Sequence, residues 1–389
     1  LSEQEDQVFY ECEAELLPDG HMEQLSAVMD ALDGQWHLVP EGRSKFERGL
    51  ALVRPGLVLD IDGGQVAGED GNGNRPKPSS DYDIWSSDHM AEAVRKILAQ
   101  QLQEMVAHQE GSRSGEDIDD LHDMRVATRR MRAAFRLFGS YFQPKSIRRI
   151  KKDLRRTGRT LGAVRDLDVF DKKATSYLKG LPKEDRHGLD PLLDHWHEQR
   201  KTAREVLATY LDSERYQRLV LELGSFVATE GAGVEPVPPG EPACVQVRHV
   251  LGSSIWQLAE KVRAYEVVLD GASKSTLHAL RIDCKRLRYT LEFFQEVLGP
   301  ETPGLVRDVV AIQDHLGDLQ DAEVAAELLQ VFLLQRQGEP NPVDLTGVVA
   351  YLDYRKVESQ DLVATFPEAW LSINNLGFRE RLAQAIVPL

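Results

Sequence analysis

Two stretches of this chain repeat one pattern, and that repeat restricts the fold more than any other feature. Residues 121–138 read LHDMRVATRRMRAAFRLF and residues 277–294 read LHALRIDCKRLRYTLEFF. His122, Arg125, Arg129, Arg130 and Arg132 each stand 156 residues before His278, Arg281, Lys285, Arg286 and Arg288. A second pair follows, LGAVRDLD at 161–168 and LGDLQDAE at 316–323, offset by 155. A duplication of this length points to two related halves, each copy needing an equivalent environment.

The spacing inside each copy is helical. Leu121, Met124, Thr128, Met131, Phe135 and Phe138 follow a 3-4-3-4-3 rhythm that lays a mostly apolar stripe on one helix face. His122, Arg125, Arg129, Arg132 and Arg136 follow the same rhythm one residue further round. In the second copy Leu277, Leu280, Cys284, Leu287, Leu291 and Phe294 form the stripe, beside His278, Arg281, Lys285 and Arg288. The next helix of the first half repeats the arrangement, with Lys145, Arg148, Lys152, Arg155 and Arg159 beside Ile147, Ile150, Leu154 and Leu161. The basic rows therefore flank the buried seam. A solvated face would interleave acids with its bases to form i,i+4 pairs, and these rows contain none.

Charge is distributed to match. Residues 121–165 hold fourteen Lys/Arg against Asp123 and Asp153, a local +12 in a chain whose net charge is −16, so the remainder carries −28. Such a block repels itself unless an anion neutralises it. The expectation is an anion-binding groove.

The 389 residues allow two or three domains. Residues 8–17 alternate as a strand, with Glu11, Glu13 and Glu15 on one face, and Met22–Leu32 reads as a short helix. Residues 1–60 are thus expected to form a small α/β piece. Residues 61–88, rich in Gly, Asp, Asn, Pro and Ser, read as a flexible linker, and 89–389 as a helical domain. The proline- and glycine-rich stretch 229–243 splits it into 89–228 and 244–389. Cys12, Cys244 and Cys284 lack CxxC spacing, which excludes a disulfide framework or zinc knuckle. No apolar run reaches the ~20 residues of a membrane span, and no signal peptide is visible. A soluble protein of the reducing cytoplasm is expected. The start at Leu1 rather than Met fits a fragment.

Three ligand classes could use the groove. Duplex nucleic acid would call for a reading helix or loop, and no such signature is present. Single strands usually meet aromatic stacking platforms, and the first-helix basic rows lack aromatics, Tyr289 lying just outside the second. A linear phosphate polymer needs only dense Arg forks and Lys point charges. The residues favour the third.

The motifs LHDMRVATRRMR, LGAVRDLDVF, LDSERYQRLV (211–220) and LHALRIDCKRLRY, in this order, resemble the CHAD domain, the conserved-histidine α-helical domain. The resemblance covers roughly 88–389. It implies two pseudo-symmetric helical bundles around a basic central pore and binding of inorganic polyphosphate. It further implies that His122, Arg125, Arg129, Arg130, Arg132, His278, Arg281, Lys285, Arg286 and Arg288 line that pore. Arg136, Lys152, Arg155, Arg159 and Arg165 are added from the basic rows and the LGAVRD motif. Where the first half has Arg165-Asp166 the second has Gln320-Asp321, and its helix over 302–316 lacks a basic row. The two sides are therefore expected to contribute unequally.

YECEAELLPDG with RSKFERGLALV (43–53) is similar to the C-terminal end of a CYTH domain, the triphosphate-tunnel fold. There Glu11 and Glu13 match metal-holding acids, and Lys45 and Arg48 match its basic segment. The N-terminal ExExK strand is missing, and sixty residues cannot close an eight-stranded tunnel. Catalysis by this piece is not expected. Neither His122 nor His278 has a metal-ligating partner at i+3 or i+4; each has an arginine instead. Both are placed in the first turn of their helices, after Asp119-Asp120 and Ser275-Thr276 as caps, where phosphate contact and local structural hydrogen bonding both remain open. Asp166 and Asp321 could orient pore arginines or form structural ion pairs. No P-loop, GxSxG or Cys-His arrangement is present. The expectation is non-enzymatic binding with no cofactor or metal. A triphosphate hydrolase and a single-strand binder are the alternatives.

Overall fold

The computed structural model describes residues 82–115, 117–238, 240, 243–336 and 343–389. The α/β piece expected over 1–60, with Glu11, Glu13, Lys45 and Arg48, lies outside the described residues. Among the described residues every regular element is helical. The helices are α1 (Met90–Ala107), α2 (Gln109–Ser114), α3 (Ile118–Phe138), α4 (Pro144–Lys179), α5 (Asp190–Leu211) and α6 (Glu214–Ala228). They continue as α7 (Val247–Arg263), α8 (Lys274–Phe293), α9 (Thr302–Arg336), α10 (Thr346–Leu371) and α11 (Leu376–Ile386).

The two motif helices start at matching points of the repeat. Asp117 caps α3 by accepting from Asp119 N–H, and Ser273, 156 residues on, caps α8 by accepting from Thr276 N–H. Both helices thus begin earlier than expected. His122 and His278 each fall at the fifth helical residue, beyond the first turn and its free N–H groups. The expected anion contact through the helix end is corrected accordingly. The true cap was hidden because Asp117, Asp119 and Asp120 are all plausible caps by composition.

Apart from the six-residue α2, the halves run through helices of closely matched length: 18, 21, 36, 22 and 15 residues, then 17, 20, 35, 26 and 11. In each, the motif helix packs on the helix before it and on the long helix after it. The stripe residues are the core: Met124, Met131, Leu280 and Cys284 have no solvent exposure. The halves also meet at equivalent positions. Phe138 and Phe294, 156 apart, touch edge-to-face with ring centroids 5.3 Å apart. His89 and Gln246, 157 apart, form an isolated antiparallel bridge, flanked by Met90 N–H to Val245 O at 2.7 Å and Val247 N–H to Asp88 O at 2.9 Å. The far ends of α4 and α9 join α5 and α10 in a second core around Trp196, Phe332 and Tyr351.

Residues 84–88, the end of the stretch read as linker, belong to this body. Ile84 is buried and its N–H donates to Glu296, and Lys96 bonds Asp83 O and Asp88. Residues 229–238, within the stretch read as a break, form no helix. Gly233 takes φ +64° and a Cβ there would lie 2.8 Å from Ser146, so this position requires glycine. No described helix is long and apolar enough to cross a membrane.

Candidate anion-binding site

α3 and α8 pack against each other, and this contact brings the two basic rows together. Lys285 lies within electrostatic reach of Arg281 and Arg288 on its own helix and of Arg129 and Arg125 on α3. Burial first, and then these four guanidiniums, push the Lys285 amine down to about 7. Arg129 is likewise lowered, chiefly by burial, with Arg288, Arg125 and Arg130 adding to the effect. Acids touch only the edges of the cluster. Arg125 donates to Asp166 at 3.1 Å and Arg288 sits 3.4 Å from Glu292. Among the described residues the middle members, Arg129, Arg281 and Lys285, make no ion pair, and the buried Nε donors of Arg129 and Arg281 have no acceptor. Unmet buried donors on cations are costly unless an acceptor arrives.

A second arm of the site runs between α3 and α4. Arg132 is lowered by burial and by Arg136, Arg155, Arg125 and Arg159 around it. At the α3–α4 turn, Arg132, Arg136, Lys151 and Arg155 line a cavity of about 260 Å³ with Gly139 and Ser140, floored by Phe135 and Leu154. Lys151 was missed in the sequence because it falls outside the 3-4 row; it is one turn before Arg155, on the side facing α3. Glycines on the long helices make room for these arginines. A Cβ on Gly158 would meet Arg132 at 2.7 Å, on Gly162 Arg125 at 3.8 Å, and on Gly317 Arg281 at 3.3 Å. The Leu-Gly of both LG motifs is thus a place for a neighbouring guanidinium to lie.

The histidines differ. His122 is lowered by burial, then by Arg165, with Arg129 and Arg125 adding to it, and its Nδ1 is buried without a partner. It is a neutral imidazole among cations, able to offer one N–H. His278 is exposed and its Nδ1 lies 2.7 Å from Gln320, the residue standing where the first half has Arg165. Burial, with the Asp321 charge adding to it, raises the Asp166 carboxyl above its ordinary value, against Arg125 and Arg165.

Not every expected site residue joins the cluster. Arg130 donates to Glu292 at 2.7 Å and stacks over Phe293. Arg286 donates to buried Asp283 at 2.6 Å, which also holds Lys261 and the Tyr265 hydroxyl. This equivalent pair braces helices; Asp283, three residues before Arg286, was the signal available in the sequence. Lys152 and Arg159 are exposed on α4 and make no ion pair among the described residues, and Arg159 acts on Arg132 across the α3–α4 arm. Among the described residues, no three His, Cys, Asp or Glu side chains converge to hold a metal ion.

The chain is similar to proteins of known sequence and to solved structures. MT2285 of Mycobacterium tuberculosis (strain CDC 1551 / Oshkosh) and Rv2226 of Mycobacterium tuberculosis (strain ATCC 25618 / H37Rv) are each 25% identical over 250 residues, 61% of this chain and 45% of theirs. The chain therefore spans about half the length of these relatives. The crystal structure of the CHAD domain from the plant Ricinus communis is 25% identical, with a TM-score of 0.56 over 80% of this chain and 97% of that one. PptA from Streptomyces chartreusis shares the fold at 14% identity, with a TM-score of 0.52 over 73% and 99% of the two chains. The CHAD domain family model matches residues 96–330, the span that holds both motif helices and both LG motifs. With the repeat, the helix order and this match in agreement, the chain belongs to the CHAD domain family.

Proposed function

We propose that this chain binds inorganic polyphosphate, a long linear polyanion, in a basic pore between its two pseudo-symmetric helical bundles, without turning it over. The observation that carries the reading is the convergence of cations from both halves: Lys285 is surrounded by Arg125 and Arg129 of the first half as well as Arg281 and Arg288 of the second. A site built by two copies of one motif suits a ligand that repeats along its length. Phosphate oxygens would accept from the unmet donors of Arg129 and Arg281, and the His122 ring could add a neutral donor. The α3–α4 groove, with Arg132, Arg136, Lys151 and Arg155, would take the chain onward. The aromatic nearest the cluster, Tyr289, is buried and stacked on Phe293, so no base-stacking platform opens there.

A titration with polyphosphates of graded length tests this. Affinity should rise with chain length and fall steeply with salt, since each neutralised phosphate releases counterions; the B-DNA slope of about −0.9 per contact is a rough analogue. Affinity that ignores salt would remove the electrostatic groove. Competition with single-stranded DNA or RNA at matched phosphate concentration separates the nucleic-acid reading. Phosphate release from tripolyphosphate with Mg²⁺ or Mn²⁺ would favour a hydrolase.

A further inference from the structure

We propose that the cavity at the α3–α4 turn receives the terminal phosphate of a polyphosphate chain, so that the protein holds the polymer by one end. The inference rests on the polyphosphate reading for its ligand, and on the shape and pairing of the cavity for the choice of chain end.

Arg132 and Arg136 stand one turn apart on α3, and Lys151 and Arg155 one turn apart on α4. Residues four apart share a helix face, so each helix turns a pair of cations toward the same space. All four line the cavity, and no acid does. A Cβ placed on Gly139 would lie 3.8 Å from the Lys151 amine, which puts that charge at the turn itself. None of the four makes an ion pair among the described residues. Acids close in sequence are taken: Asp153 holds Arg215 at 2.8 Å, and Glu222 holds Arg149 at 3.0 Å. Like charges gathered without a counter-charge repel until an anion joins them.

The second half shows what such a corner needs. One repeat later, 156 residues on, Arg132 becomes Arg288 while Arg136 becomes Glu292. Glu292 sits 3.4 Å from Arg288 and accepts from Arg130 at 2.7 Å. Glu296, at the place of Ser140, accepts from the Ile84 N–H at 3.1 Å. The second copy thus supplies its own carboxylate to the equivalent guanidinium. The first copy puts another cation there and leaves about 260 Å³ of space beside it.

That space is closed on the side away from the centre. α3 and α4 pack as a hairpin joined by residues 139–143, and Gly139 and Ser140 wall the cavity. The wall is braced from behind by the segment between the halves. Gln143 N–H donates to Gly233 O at 2.8 Å, and Glu235 N–H donates to Tyr141 O at 3.0 Å. The acid of that strap, Glu235, is exposed and does not line the cavity. The floor is rigid: Leu154 and Phe135 are buried, and Phe135 packs on Phe142 and Phe226 with ring centroids 6.2 Å away in each case. A chain laid along the basic row from Arg125 through Arg132 therefore meets a wall just past Arg136.

The chain end suits a closed corner of cations better than any interior unit. An interior phosphate has neighbours on both sides and one ionised oxygen. A terminal phosphate has one neighbour and, like a phosphate ester, a charge of about −1.5 to −2 at neutral pH. Its three free oxygens can accept from arginine forks on α3 and α4 and from the Lys151 amine together.

The experiment compares two polymers. One is a linear chain of about fifteen phosphates, enough to cover the roughly 16 Å of α3 from Arg125 to Arg136. The other is the same chain amidated at both ends, which replaces one ionisable oxygen of each terminal phosphate and leaves the interior untouched. Calorimetry at about pH 8, where an unmodified end holds both charges, reads affinity for wild type, for Arg136→Gln with Lys151→Gln, and for Arg129→Gln. Amidation should weaken wild-type binding about tenfold, the effect of one lost charge-assisted hydrogen bond. The double variant should bind the unmodified chain more weakly and lose most of the distinction between the two. Arg129→Gln, at the centre, should weaken both and keep the distinction. In ³¹P spectra, where terminal and interior phosphates resonate apart, wild type should shift the terminal signal and the double variant should not. Equal affinity for the two chains in wild type, or a distinction undiminished in the double variant, overturns the proposal and leaves the polyphosphate reading standing. If neither chain binds, the polyphosphate reading fails and the end pocket fails with it.

Discussion

α4 and α9 are counterparts in order and length and opposites in charge. Residues 144–165 of α4 carry nine Lys/Arg and one acid, and residues 302–323 of α9 carry one Arg and five acids. Their partners explain the contrast. Three of these five acids of α9 pair with other helices, Asp308 with Arg381, Asp318 with Lys173 and Glu323 with Lys274. The one acid of α4, Asp153, is bound by Arg215, while Arg148, Lys151, Lys152, Arg155 and Arg159 make no ion pair among the described residues. The motif helices, in contrast, kept cations on both sides. Where the halves touch, both copies supply charge; away from that contact, one copy turned its long helix to structural work. A polymer threaded through the centre would therefore continue along the first half only.

The largest effect should come from the centre, where the halves are alike. Reversing charge at Arg129 or at Lys285 should each weaken long-chain polyphosphate binding by about 2–4 kcal/mol. That figure combines a charge-assisted hydrogen bond of roughly 1.5–3 kcal/mol with the repulsion introduced. Helicity should barely change, because both residues flank the apolar stripe. An intact affinity in Lys285→Glu beside a lost one in Arg129→Glu would break the two-sided site and leave a patch of the first half alone.

Arg215→Ala sharpens the comparison differently, by asking whether every cation of the first half serves the ligand. Arg215 looks in sequence like a neutral control for the basic rows. In the fold it donates through Nε at 2.8 Å to Asp153, whose side chain is 8% exposed. Losing it strands a buried carboxylate. The cost should be roughly 2–3 kcal/mol of stability, below the 3–5 of a fully enclosed pair because Arg215 is itself 38% exposed. Denaturant unfolding reads the loss, and polyphosphate affinity of the folded fraction should be unchanged. Arg218, which only reaches Glu214 at 4.0 Å, is the better control.

The basic row of α4 should matter less. Replacing Lys152, Arg155 and Arg159 together by alanine should weaken long-chain binding by about 1–2 kcal/mol, in line with exposed charge contacts of up to about 1 kcal/mol each. The salt slope should become shallower, while a chain too short to leave the centre should bind as before. Equal losses for short and long chains would place these residues at the centre instead of along an exit.

Much of this was legible before any coordinates. The repeat offset fixed which residues are equivalent, and the 3-4 spacing separated seam from basic row, as the burial of Met124, Met131, Leu280 and Cys284 bears out. What spacing cannot convey is which distant acid claims a given arginine. Glu292 lies 162 residues from Arg130 and Arg215 lies 62 from Asp153. Nor does a wheel say that α3 faces α8, which adds Arg129 and Arg125 to the charges acting on Lys285. The helix starts were misplaced because local composition offers several caps, and only the register of the two copies, Asp117 against Ser273, distinguishes the true ones.

The smallest effect concerns the glycines on which the arginines lie. Both sit inside helices, where alanine in place of glycine ordinarily stabilises by about 0.5–1 kcal/mol. At Gly162 the new Cβ would rest 3.8 Å from Arg125, an ordinary contact, so Gly162→Ala should gain most of that. At Gly317 it would rest 3.3 Å from the tip of Arg281, which must give way by a few tenths of an ångström. The guanidinium end is flexible and the shift cheap, so Gly317→Ala should also gain, but less. Binding should respond in the opposite order: unchanged in Gly162→Ala, and lowered less than about threefold in Gly317→Ala, where a central donor moves. Thermal melting with and without polyphosphate reads both terms. A fall in stability at Gly162 would mean that α3 lies closer to α4 than α8 does to α9, and the likeness of the two hairpins at their core would be lost along with the likeness of their charge.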